Sequence, residues 1–151
     1  MRRSVAALSF GIAACWAGLL SARGAESVAA DGAGDSLAER YAAAALVAQV
    51  QIAGVHRDVD NALSEPGMVA ISGYVYSAVS HQVWKGEANR LIAFRLGLEY
   101  CDKKLRKGER YLIFASPDSY GRLQLRSCDA AVAESEAAPL LARLQQFGQQ
   151  G

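Results

Sequence analysis

From residue 46 the chain alternates. Leu46, Ala48, Val50 and Ile52 fall on one side of an extended backbone, with Gln49 and Gln51 opposite. Strand side chains point to opposite faces in turn, so the pattern predicts a half-buried strand over 46–55. The next stretch, 56–67, is polar and closes on Pro66-Gly67, which predicts a long loop joining two strands. Alternation returns over 68–79, with Val69, Ile71, Val75 and Val79 on one side and Tyr74 and Tyr76 on the other. Gly73 inside this strand predicts a bulge or sharp bend. The strand extends or restarts through Val83-Trp84 and ends at a Lys85-Gly86 turn.

A third strand, 90–98, sets Leu91, Ala93 and Arg95 against Ile92, Phe94 and Leu96. A fourth, 110–115, is apolar enough to be central, and after a turn at 116–121 a fifth follows at 122–127. Helical signals flank the strands. Ser36-x-x-Glu39 has capping-box spacing ahead of an Ala-rich stretch and predicts a helix over 37–45. In the tail, Ser135 reads as a cap and Pro139 as tolerable in a first turn. Leu140, Leu141 and Leu144 make an apolar stripe there, and Gly148 is the stop. The expected fold is mainly β, a small closed five-stranded barrel with a helix at each end.

Residues 1–35 stand outside that pattern. Arg2 and Arg3, an apolar run over 5–20, and the small-x-small Ala22-Arg23-Gly24 have the order of a secretory signal. The apolar run is shorter than a membrane span of about 20 residues. Segment 1–24 is therefore expected to be a signal peptide and 25–35, small and Gly-rich, a flexible leader. A second route exists. Ile12-Ala13-Ala14-Cys15 is similar to a lipobox, although the run stays apolar from Trp16 to Leu20. Lipidation at Cys15 would tether the domain to the envelope, and membrane contact is expected only by that route. Without it the protein is periplasmic or extracellular.

Cleavage near Gly24 takes three arginines from the 16 basic residues and none of the 15 acidic ones, leaving a net charge near −2. Such a balance argues against nucleic acid as a partner, since that footprint needs a clustered basic excess. Lys103, Lys104, Arg106, Lys107 and Arg110 do cluster, but Asp102 and Glu109 lie among them, and the stretch reads as a solvated turn. Only Cys101 and Cys128 remain after cleavage, and two cysteines in an exported chain most simply form one disulfide.

Chemistry is sparse. Neither His56 nor His81 has a recognisable partner, and the chain has no His-x-x-x-His, Cys-x-x-Cys, Gly-x-Ser-x-Gly or phosphate-loop motif. His56-x-Asp58-x-Asp60-Asn61 could offer oxygen ligands, but it lacks the glycine and distal glutamate of a calcium loop and reads as solvated. No catalytic residue, metal or cofactor is expected. A binding role is left, with Tyr74 and Tyr76, the His56, Asp58 and Asp60 loop, and Tyr120 as the candidate partner surface.

One ordered series adds to this reading: Val83-Trp84-Lys85-Gly86, then Cys101, then Gly108-Glu109-Arg110-Tyr111-Leu112-Ile113-Phe114-Ala115, then Leu123 and Cys128. It resembles the bacterial members of the netrin-like superfamily, the group that includes the tissue inhibitors of metalloproteinases, over residues 36–147. The resemblance implies an OB-like five-stranded barrel with Cys101 and Cys128 joined. Inhibition in the animal proteins depends on a cysteine exposed at the signal cut, and no cysteine stands near Gly24 or Ala25. The expected function is an exported, non-enzymatic domain that recognises a protein partner. The alternatives are metalloendopeptidase inhibition by another geometry and a structural envelope lipoprotein acting through its Leu-rich tail.

Overall fold

A computed structural model describes residues 36–149. The expected signal peptide, leader and Cys15 lie outside the described residues. Helix α1 spans 36–43. It is followed by β1 (Leu46–Val59), β2 (Ile71–Lys85), β3 (Leu91–Gly97), β4 (Arg110–Pro117) and β5 (Leu123–Leu125). A 3-10 turn (Cys128–Ala130), a short β6 (Ala131–Ala133) and helix α2 (Glu134–Gln149) complete the chain.

The sheet order is β1-β2-β3-β5-β4-β6, and β1 also pairs with β4, which closes five strands into a barrel. All pairings are antiparallel except β3 with β5. Closure demands curvature, and β1 supplies it: its register with β2 shifts at four places between Val47 and Val59. The expected irregularity near Gly73 is real. Asp58 pairs with Gly73 and Val59 with Ile71, so Ser72 is the extra residue. Gly73 itself is there for clearance. A Cβ on it would stand 2.7 Å from the Leu96 carbonyl oxygen and 2.8 Å from Gly97 Cα.

The core is apolar throughout. On β3 the residues of one face, Ile92, Phe94 and Leu96, are buried, while Leu91 and Ala93 opposite are exposed. On β4 five consecutive residues, Tyr111 to Ala115, are buried. Consecutive side chains point to opposite faces, so β4 is covered on both, and α2 packs against it, β6 and β2. Phe94 stacks on Tyr76 with ring centroids 5.4 Å apart.

Several expected boundaries move. His56 to Val59 belong to β1, so the connection to β2 is 60–70 instead of 56–67. Pairing with β2 carries the strand through polar residues that alternation alone leaves out. Met68 and Val69 precede β2, which then runs unbroken to Lys85. Helix α1 ends two residues early, and β5 covers only Leu123–Leu125. Strand β6 has no expected counterpart; three small residues pair with β4 only because the chain passes there. Ser135 lies within α2 and Gly148 does not end it.

Candidate functional site

The motif residues hold the barrel together. Lys85 Nζ donates to the carbonyls of Tyr41 at 2.8 Å and Ala42 at 3.0 Å, and lies 5.2 Å from the Tyr41 ring centroid. Cations favour the carbonyl end of a helix, so Lys85 caps α1. Gly86 follows at φ +94°, where a Cβ would meet the Ala45 carbonyl oxygen at 2.6 Å. Trp84 packs half-buried against the core, and its carbonyl accepts the Tyr41 hydroxyl at 2.9 Å. Gly108, at φ +87°, donates its amide to Ile52 at 2.8 Å. The Tyr111 hydroxyl donates to Glu109 Oε2 at 2.9 Å, and Arg110 pairs with Glu134 at 3.5 Å.

Cys101 and Cys128 form a disulfide. Asp102 stands close to both sulfurs, but the sulfurs are already bonded to each other and offer no thiolate ligand.

The candidate tyrosines separate. Tyr76 is fully buried and is unavailable to a partner; it belongs to the core. Alternation separated Tyr76 correctly from Val75 and Val79, but the face that closes inward is the one carrying Tyr76 and Ala78, with the valines only half-buried. Tyr74 is half-buried beside it, under Lys104 Nζ at 5.0 Å from its ring centroid. Tyr120 is exposed in the β4–β5 turn, at the far end of the barrel. His56 is exposed on β1. Asp58, two residues on, accepts Arg95 Nε at 2.5 Å, and Arg95 Nη1 donates to Glu99 at 2.9 Å. Asp60 turns inward on its own loop, its Oδ1 accepting the amides of Ala62 and Leu63. His56, Asp58 and Asp60 therefore do not converge on one ligand.

A different feature does converge. Strand β3 runs in the direction of β1, so the residues after Gly97 emerge at the same end as those after Val59. The Leu98 amide donates to Ser72 at 2.9 Å and ties the two connections together. At this end stand Val59, Leu63, Met68, Val69, Leu98 and Tyr100, all exposed, with Leu63 at 74%, Met68 at 68% and Val69 at 61%. Leu91 and Tyr120, the other exposed large apolar residues described, lie at the opposite end. The Asp58–Arg95–Glu99 ion pairs form a polar border on β1 and β3. Sequence reasoning missed Leu63, Met68 and Val69: Leu63 is an apolar residue inside a polar loop, and Met68 and Val69 read by alternation as the start of the second strand.

The apolar face of α2 is taken up by the barrel: Ala137 and Leu144 are buried, and Leu140, Leu141 and Phe147 pack against the core. Among the described residues no helix is long and apolar enough to cross a membrane. Neither a protein-family model nor a curated protein sequence matches the chain.

Proposed function

We propose that the chain is an exported, non-enzymatic binding domain of the netrin-like kind that takes a protein partner on the apolar end of its barrel. The observation that carries this is the gathering of Val59, Leu63, Met68, Val69, Leu98 and Tyr100 around two neighbouring connections. Contiguous exposed apolar surface with a polar border marks interaction sites, whereas scattered single residues do not. Two further features support the kind of domain. Strands β1, β2 and β3 follow in succession and β4 returns beside β1, a strand order that supports an OB-like reading, since the OB fold is a five-stranded Greek-key barrel. The Cys101–Cys128 bridge suits an oxidising compartment.

Site-specific photo-crosslinking in the host tests the reading. A crosslinking residue at Leu63 or Met68 is expected to trap one discrete protein adduct, and one at Gln82, exposed on β2, to trap none. Changing Val69 and Tyr100 to Ser should abolish the adduct without unfolding the barrel. No adduct, or the same adducts from all three positions, would sink the proposal.

A further inference from the structure

Between Cys101 and Gly108 the chain makes no sheet, yet its backbone is pinned at four points. Cys101 is bridged to Cys128. The Leu105 amide donates to Tyr76 and the Arg106 amide to Tyr111, each at 3.0 Å. The Gly108 amide donates to Ile52. Leu105 is buried, while Lys103, Lys104, Arg106 and Lys107 are exposed. Among the described residues only Arg106 of these four has an acidic partner, Glu109 at 3.5 Å. The result is a strap whose backbone is fixed and whose cations project.

Beside the strap runs β1. Gly54, Val55 and His56 of β1, with Lys104, Leu105, Arg106 and Lys107, line an open cleft of about 610 Å³. No acid lines it: Asp102 and Glu109 stand at the strap's two ends, and Asp58 is engaged by Arg95. At Gly54 the floor is bare backbone, since a Cβ there would lie 2.5 Å from Ser77 Oγ.

We infer that this cleft docks an extended acidic polypeptide segment. Charge complementarity names the chemistry: three cations and His56 face one channel with no acid on its lining. The form follows from the walls. Same-face side chains of an extended chain recur about every 7 Å, so alternate carboxylates can meet successive cations of a short strap. The side chains between them would lie against Val55 and Leu105. A duplex or a flat anionic surface needs a broader basic face than one interrupted by Asp102 and Glu109. The inference rests on the reading of the chain as a binding domain, but it uses none of the residues of the apolar cluster.

The test uses the exported protein with its disulfide intact and a fluorescein-labelled decapeptide alternating glutamate with valine. Its counterpart with glutamine for every glutamate is the control. At low salt the glutamate peptide is expected to bind about tenfold more tightly than the control, the size of effect that about three exposed charge contacts together produce. Backbone amide shifts should be confined to 54–56 and 104–107, and Lys104→Ser with Lys107→Ser should remove the preference. The variant Met68→Ser with Val69→Ser should bind the peptide normally, which separates failure of this inference from failure of the apolar-end reading. Equal binding of both peptides, shifts elsewhere, or indifference to the lysine changes would overturn it. Displacement by inorganic phosphate at equal charge concentration would also overturn it, since the cleft would then be a simple anion site.

Discussion

The hydroxyl of Tyr76, at the centre of the barrel, accepts the amide hydrogen of Leu105 at 3.0 Å. A strand residue thus supplies the partner that a loop amide, buried away from water, must find somewhere. Burial pushes the Tyr76 phenol up, and the Leu105 amide only partly opposes this, so the hydroxyl stays neutral across the physiological range. Tyr111 does the same for Arg106, one residue along. Two core tyrosines therefore act as pegs for the 103–107 strap.

Tyr76→Phe keeps the ring stack on Phe94 and removes the peg. The Leu105 amide is then buried without an acceptor, which costs about 1–3 kcal/mol. Urea denaturation should show that loss. Hydrogen exchange should speed up in the strap, with the β1–β4 ladder changing only as the global stability does.

The disulfide spans 27 residues and encloses β4 and β5. On the chain-entropy model, closing a loop of that length stabilises the fold by about 3–4 kcal/mol. Cys101→Ser with Cys128→Ser should lower the urea midpoint accordingly. A wild-type-like midpoint in the double variant would contradict the role given to the bridge.

Lys85 and Gly86 anchor α1, and the two should fail to different degrees. Lys85→Met removes a cation from the carbonyl end of an eight-residue helix at 36–43 and should cost about 0.3–1 kcal/mol. Gly86→Ala meets both the positive φ and the Ala45 carbonyl, and should cost more than about 1 kcal/mol. Thermal unfolding of the two variants side by side reads the order directly.

Asp118 closes the β4–β5 turn, its Oδ1 accepting the Tyr120 amide at 2.8 Å and the Arg122 amide at 2.9 Å. Desolvation pushes its carboxyl up, but those amides and the Arg122 side chain outweigh it and hold the carboxyl below the usual range. A value lower in the folded than in the unfolded chain means stability that is present above the unfolded value. That stability is lost as the pH falls through the folded value. Carboxyl NMR titration should place Asp118 below a model aspartate, and Asp118→Asn should flatten that part of the acid stability profile.

Alternation by itself identified five strands, the apolar β4, the two faces of β3 and an irregularity near Gly73. Those follow from period and residue size, which are local. The two cysteines, once counted, left one simple pairing. What the sequence could not reveal was decided by pairing at a distance. His56 to Val59 became strand because β2 lay alongside them, and β6 formed because its three residues pass the edge of β4. Tyr76 went inward because the barrel closes over the face it shares with Ala78, and alternation separates two faces without saying which one a closed sheet turns inside. The apolar end is the same kind of fact. Leu63, Met68, Val69, Leu98 and Tyr100 come from two connections far apart in sequence, and only the shared direction of β1 and β3 brings them to one end of the barrel.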